Sequence, residues 1–424
     1  MRHWLLTDST RLSLRPMEAR DPDPKFLDIP APFSMKSQAQ VTVSEPTSPA
    51  EEVPNSLPPA HSNASLSQTS SRNGGRLRES GLLGSSWSLQ IQAKVWRYLE
   101  QVGLWLSQIP SPSPPQPSFT RQCLAHIVGK QEPAIIELAF YVPQDHAQQV
   151  RRGRKYPVVV NLHGGGFTLG TARDDARWAA YVLDRTGAIF VSVEYRLAPE
   201  FPFPFGVEDG VEALLHLASH ADEYGIDHHR MALSGFSAGG NMAFTIPLRL
   251  QTHLQSMKNE TASKATADAS TSSFEPENLP HIVCIIAWYP SLDQRLSRAE
   301  RRAACSRPDK TLSDFLTSLF DAAWLPDPES KTSPFASPAA ATDEDLQTAL
   351  PHDIAFYLCE WDMLFQEGVD FQERLVKLGK RVHCTVIEGT QHAFDKSPYP
   401  FSVDPKVPLY YGRACEILRE AFGG

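Results

Sequence analysis

The chain has 424 residues, 41% of them hydrophobic, and a formal net charge of −9. That hydrophobic content excludes wholesale disorder, and the acidic balance argues against a broad nucleic-acid-binding surface, so no nucleic-acid partner is expected. The first ten residues, MRHWLLTDST, lack the long apolar stretch of a secretory signal, and no run of 18 apolar residues spans a membrane, which makes a cytoplasmic location the default expectation.

Fifteen of the 35 prolines lie before residue 121. Residues 1–80, rich in Pro, Ser, Gln and Asn, lack the apolar area to offset chain entropy and read as a disordered tail. Over 85–109, Ile91, Val95, Leu99, Val102 and Leu106 recur at helical spacing, with Trp87, Trp96 and Trp105 as bulky additions. Two readings stand for this amphipathic segment: a cap helix packed on the protein's own body, and a helix lying on a lipid surface. The Pro-rich stretch at 111–118 is an extended connector.

From Phe119 onward, apolar runs alternate with helix-length segments. The runs are 135–142, 156–162, 188–195, 230–236, 281–289, 354–360 and 381–388; helices are expected near 174–186, 208–224, 238–256, 363–379 and 408–422. Continuous apolar strands alternating with helices predict an α/β fold with a mostly parallel central sheet covered on both faces. Residues 261–278 read as a surface-loop insert. Residues 292–345, which contain the helix candidate 311–325, read as an insert covering a site. Six cysteines occur without a CxxC pair. Cys284, Cys359 and Cys384 fall in apolar runs and are expected to be reduced and buried, and no metal-ligand cluster is apparent.

Four segments carry chemistry, each placed at the C-terminal end of an expected strand, where open α/β sheets build their sites. The first is GFSAGG, 235–240, between the strand RMALS and an expected helix. This is the context of a nucleophile elbow, in which Ser237 sits at a sharp apex and Gly235 and Gly239 relieve clashes around it. The second is HGGGF, 163–167, whose consecutive glycines let backbone N–H groups approach a ligand closely, as an oxyanion hole requires. No Gly-Lys-Ser/Thr follows, which sets a phosphate loop aside. The third is His392 in GTQHAFD, the fourth Asp362 in CEWDMLFQEG. Glu360 and Glu388 are the competing acids: Glu360 lies nearer the strand body, and Glu388 ends the strand that leads to His392 itself.

HGGGF, YRLAPEFPFP (195–204), GFSAGG, Ser333–Pro334, the Asp362 segment and QHAF stand in an order that resembles the hormone-sensitive-lipase branch of the α/β hydrolases, over roughly 119–424. The resemblance implies an α/β-hydrolase fold with a helical cap and a serine esterase without metal or organic cofactor, acting on a small-molecule ester. Ser237 would be the nucleophile, His392 the base and Asp362 its orienting acid. The oxyanion donors would be Gly165 and Gly166, with Gly164 as a third candidate, plus Ala238. His163 would shape the loop, and Tyr195, Arg196, Pro199 and Glu200 would brace the site. One departure is Phe236, where members of that branch often carry Asp. Amide or formamide hydrolysis, lactone opening, acyl transfer, and ligand binding without catalysis are the alternatives on the same framework.

Overall fold

β-Branched and aromatic residues supply the sheet. In β3 (Tyr156–Leu162), Val158, Val160 and Leu162 enter one core while Val159 enters the other, so successive side chains feed opposite faces of a strand buried on both sides. A computed structural model describes residues 76–107, 109, 113–125, 134–265, 278–396 and 403–424. The remaining strands are β1 (Phe119–Ala125), β2 (Ala134–Tyr141), β4 (Ile189–Glu194), β5 (Ile226–Phe236), β6 (Ile282–Trp288), β7 (Asp353–Cys359) and β8 (Arg381–Ile387). They form one eight-stranded sheet in the order β1-β2-β4-β3-β5-β6-β7-β8. β2 pairs antiparallel with β1 and with β4; every other pairing is parallel.

Helices cover both faces, as parallel strands require. Phe205–Ser219, Ala238–Ala265 and Phe365–Lys377 pack on one side, Ala176–Thr186 and Lys406–Ala421 on the other. Between β6 and β7, the helices Arg298–Ala304 and Asp314–Trp324 and several short 3-10 turns occupy most of 292–345.

Two boundaries and one burial differ from the sequence expectations. The N-terminal helix α1 runs Arg76–Ser107, so it begins inside the stretch read as tail; residues 1–75 lie outside the described residues. The helix that starts at Ala238 continues to Ala265, through the first part of the expected 261–278 loop, while 266–277 are outside the described residues. Cys384 is exposed, not buried: β8 is an edge strand, and its side chains at 384 and 386 point to an uncovered flank. The other five cysteines are buried. No described helix is long and apolar enough to cross a membrane.

The amphipathic helix is oriented opposite to a simple packing expectation. Ala93 is fully buried, and Arg97 and Glu100 face the body, whereas Ile91, Val95, Leu99 and Val102 are exposed. Its polar side makes the hydrogen-bonded contacts. Arg97 donates to the carbonyls of Thr168 (2.8 Å) and Ala198 (2.7 Å) and pairs with Glu200 (2.9 Å). Glu100 accepts from the Gly170 N–H at 2.7 Å.

Candidate active site

The elbow at Ser237 follows from its glycines. A Cβ on Gly235 would fall 2.1 Å from the Gly239 carbonyl oxygen, and one on Gly239 would fall 1.9 Å from that of Leu162, so side chains at either position would break the turn. Ser237 itself has φ 54°, a left-handed backbone that serine rarely adopts. Its N–H donates to the Trp288 carbonyl (2.9 Å), and the Ser237 carbonyl accepts from Asn241 as the next helix starts. The strained serine is thus clamped between β6 and that helix, with its hydroxyl projecting from the sheet's C-terminal edge.

β7 and β8 deliver the partners. His392 Nε2 lies 2.9 Å from Ser237 Oγ, and His392 Nδ1 lies 2.6 Å from Asp362 Oδ2. The other Asp362 oxygen accepts the Leu364 N–H at 3.0 Å. Asp362 is 1% exposed and His392 8%. The competing acids are elsewhere: Glu360 accepts from the Gly389 N–H (2.6 Å), bracing the loop that carries His392, and the Glu388 main-chain carbonyl accepts from Lys406.

The glycine loop lies against the elbow. Gly164, Gly165, Gly166, Ser237 and His392 line one cavity of about 310 Å³. Gly165 (φ 105°) would place a Cβ 2.3 Å from the Leu169 carbonyl oxygen, and Gly166 (φ 59°) would place one 2.3 Å from the Phe320 ring. Neither glycine N–H donates to another described residue. Ala238 opens a helix, where the first N–H groups have no intrahelical partner. Gly166, Ser237 and Ala238 also line one smaller adjoining pocket, so two of the three expected donors stand beside the serine. Gly164 lines the larger cavity but packs its α-carbon toward the Phe236 carbonyl.

The residues expected to brace the site make the following contacts. His163 stacks on Tyr195 with centroids 4.1 Å apart, its Nδ1 lies 2.8 Å from the Gly164 carbonyl oxygen, and the Tyr195 hydroxyl donates to the His163 carbonyl. Arg196 and Asp209 form a buried pair. Pro199 sits between Ala198 and Glu200, two of the three residues that hold Arg97.

Several groups had no reading from sequence. Leu312, Leu316 and Phe320 of the 292–345 insert form an apolar wall of the cavity. Glu100 and Asp174 line it from the opposite chemistry: burial, and secondly the Asp174 carboxylate, push Glu100 up to about 7, and burial raises Asp174 as well. Below His392, Asp395 accepts from the hydroxyls of Tyr289 (2.5 Å) and Tyr411 (2.6 Å). Lys396 bridges Asp175 (2.5 Å) and Asp395 (3.3 Å), and its ammonium lies 4.2 Å from the Phe236 ring centroid. Burial by itself would lower that ammonium; the carboxylates outweigh it and hold Lys396 above its ordinary value. The available signal for Arg97 and Glu100 was their i, i+3 spacing opposite the apolar stripe, which places both on one helix face.

Comparison with known proteins agrees with this framework. The model of the α/β-hydrolase fold family matches residues 159–396, and the chain belongs to that family. An AB hydrolase superfamily protein of Schizosaccharomyces pombe is 28% identical over 239 residues, 56% of this chain and 63% of the relative. The hormone-sensitive lipase of Ictidomys tridecemlineatus is 36% identical over 126 residues, 30% of this chain and 16% of that protein, in keeping with the resemblance seen in the motifs. Among solved structures, an esterase of Pyrobaculum calidifontis is 26% identical with a TM-score of 0.59, covering 77% of this chain and 92% of that one. The matches thus span about two thirds or less of the first of these curated relatives and a small part of the lipase.

Proposed function

We propose that this protein is a serine carboxylic-ester hydrolase that cleaves short- or medium-chain acyl esters through an acyl-enzyme. The observation that carries the reading is the continuous Asp362–His392–Ser237 hydrogen-bonded chain, whose Ser237 and His392 line one cavity with the glycine loop. The esterases and lipase among its relatives point the same way.

The geometry supports a specific sequence of steps. Ser237 Oγ attacks the acyl carbonyl carbon while its proton passes to His392 Nε2. The imidazolium is stabilised through Nδ1–H by the Asp362 carboxylate, which the Leu364 N–H keeps in place. The negative carbonyl oxygen takes hydrogen bonds from the N–H groups of Gly165, Gly166 and Ala238; one such donor is worth about 3 kcal/mol of transition-state stabilisation. His392 then returns the proton to the leaving alcohol. Water, deprotonated by the same nitrogen, attacks the acyl-enzyme and releases the acid. Phe320, packed against Gly166, limits the space beside the reacting carbonyl, which favours acyl groups of modest bulk.

A p-nitrophenyl ester series from acetate to palmitate, tested on wild type and Ser237→Ala, examines this reading. It requires turnover that the substitution abolishes, with an optimum at short or medium chains. Labelling by a fluorophosphonate without ester turnover would move the assignment to amides, lactones or acyl transfer. Absence of both, in folded protein, would move it to ligand binding without catalysis.

A further inference from the structure

We propose that the outward face of α1 docks on the surface of a phospholipid bilayer. Trp87, Ile91, Val95, Tyr98, Leu99, Val102 and Trp105 are all exposed. At 100° per residue they fall within a single arc of about 120°. Trp87 and Tyr98 each keep 67% of their surface accessible and Trp105 keeps 65%. The stripe is not a byproduct of an unattached helix. The opposite face is held by Arg97 and Glu100 through four partners on the body, so the helix is fastened with its apolar side out.

The dimensions and the residue types select the occupant. From position 87 to 105 the helix rises about 27 Å at 1.5 Å per residue. With a face about 10 Å wide, the stripe offers roughly 270 Å² for docking, well short of the ~800 Å² per partner of a stable protein interface. A single amphipathic helix is, however, enough for a bilayer, which needs no matching shape. Two tryptophans and a tyrosine in the stripe are the side chains whose rings settle at the headgroup boundary, apolar body inward and polar atom outward. Lys94 is exposed on the flank of the stripe, placed to reach a lipid phosphate.

Docking would also place the cavity. Glu100 and Gly103 line it from the inward side of the same helix, and Leu316 and Phe320 of the adjoining helix line it with Leu312 just before that helix. The same helix thus carries the docking face and part of the cavity wall, so an ester partitioned into the bilayer is held next to an element that lines the cavity. This last consequence rests on the ester-hydrolase reading; the docking itself does not.

The test is co-sedimentation of the full chain with phosphatidylcholine vesicles, compared with a triple variant Ile91→Gln, Val95→Gln, Val102→Gln. All three side chains are exposed, so the variant keeps the fold, which a thermal melt verifies. The expected result is wild-type binding that resists 0.5 M salt and weakens at least tenfold in the variant, with hydrolysis of a water-soluble short ester unchanged. Failure of the wild type to bind vesicles would overturn the proposal, as would equal binding by the variant. A wild-type dimer that the variant converts to monomer, without vesicle binding, would overturn it in favour of self-association. Soluble-ester turnover is read separately, so loss of the docking result and loss of the hydrolase reading are distinguishable.

Discussion

Replacing Arg97 with methionine keeps the aliphatic stem on α1 and removes the guanidinium that ties it to the glycine loop. Three partners are lost: the carbonyls of Thr168 and Ala198 and the carboxylate of Glu200. Hydrogen bonds to charged groups contribute about 1.5–3 kcal/mol each. Arg97 and Glu200 keep about a quarter of their side-chain surface in water, which puts the ion pair at the low end, so the local anchoring weakens by roughly 3–4 kcal/mol in total. Thr168 lies two residues past Gly166, and Ala198 in turn donates to the Phe167 carbonyl, so both contacts adjoin the glycines proposed as oxyanion donors. If about a third to a half of the lost anchoring is expressed in the transition state, kcat falls about tenfold, because 1.4 kcal/mol is a factor of ten. The assay is steady-state hydrolysis of p-nitrophenyl butyrate together with a thermal melt. The expected outcome is the loss in kcat with KM within about twofold, and partial recovery in Arg97→Lys. A lowered melting temperature with unchanged kcat would refute the reasoning and leave α1 as packing alone.

Other outcomes follow from the same geometry. Asp362→Asn should lower kcat by about 10⁴-fold with little change in KM, since the amide orients the imidazole in the wrong tautomer; stopped-flow or discontinuous ester assays resolve the residual rate. Gly166→Ala should abolish activity, because its Cβ meets the Phe320 ring at 2.3 Å, and Phe320→Ala in the same chain should restore part of it, as a double-mutant cycle in kcat/KM would reveal. Glu100 binds its proton more tightly in the fold, at about 7, than at its ordinary 4.5. Its contribution to stability is therefore fullest below about pH 4.5 and is lost as pH rises through 7. Glu100→Gln, which keeps an acceptor for the Gly170 N–H, should gain in melting temperature relative to wild type across that window and hold a constant difference below it.

The parts of the fold that were legible are those where one local pattern had one spatial meaning. β3 and β4 are apolar on both faces, so their runs could only be buried strands, and the four chemical segments stood at the ends of such runs. β1 was not distinguished, because FTRQCLA exposes Arg121 and Gln122 at the sheet edge and its polar content masks the pairing with β2. β8 reads like β7 in sequence, yet Cys384 and Val386 are exposed on this edge strand, beyond which no described strand continues the sheet. For α1 the spacing predicted a helix but not which side meets the body. That choice is made by Thr168, Gly170, Ala198 and Glu200, 70 or more residues away, and no local period reports on them. At the site, Ser237, His392 and Asp362 were legible from strand-end placement and chain order. The Asp175–Lys396–Asp395 network was not, since its members are separated by up to 221 residues and look like ordinary surface charges.

Phe236 and Lys396 bear on how this chain can drift in evolution. The ammonium already serves two carboxylates, and the ring beneath it offers an electron-rich face that adds attraction without adding charge. An aspartate at 236, the residue common in the branch this chain resembles, would bring a third carboxylate to one cation inside a buried site, a load that desolvation penalises. The two positions are therefore expected to change together. A relative that carries aspartate at 236 should therefore also differ at the positions of Asp175 or Asp395.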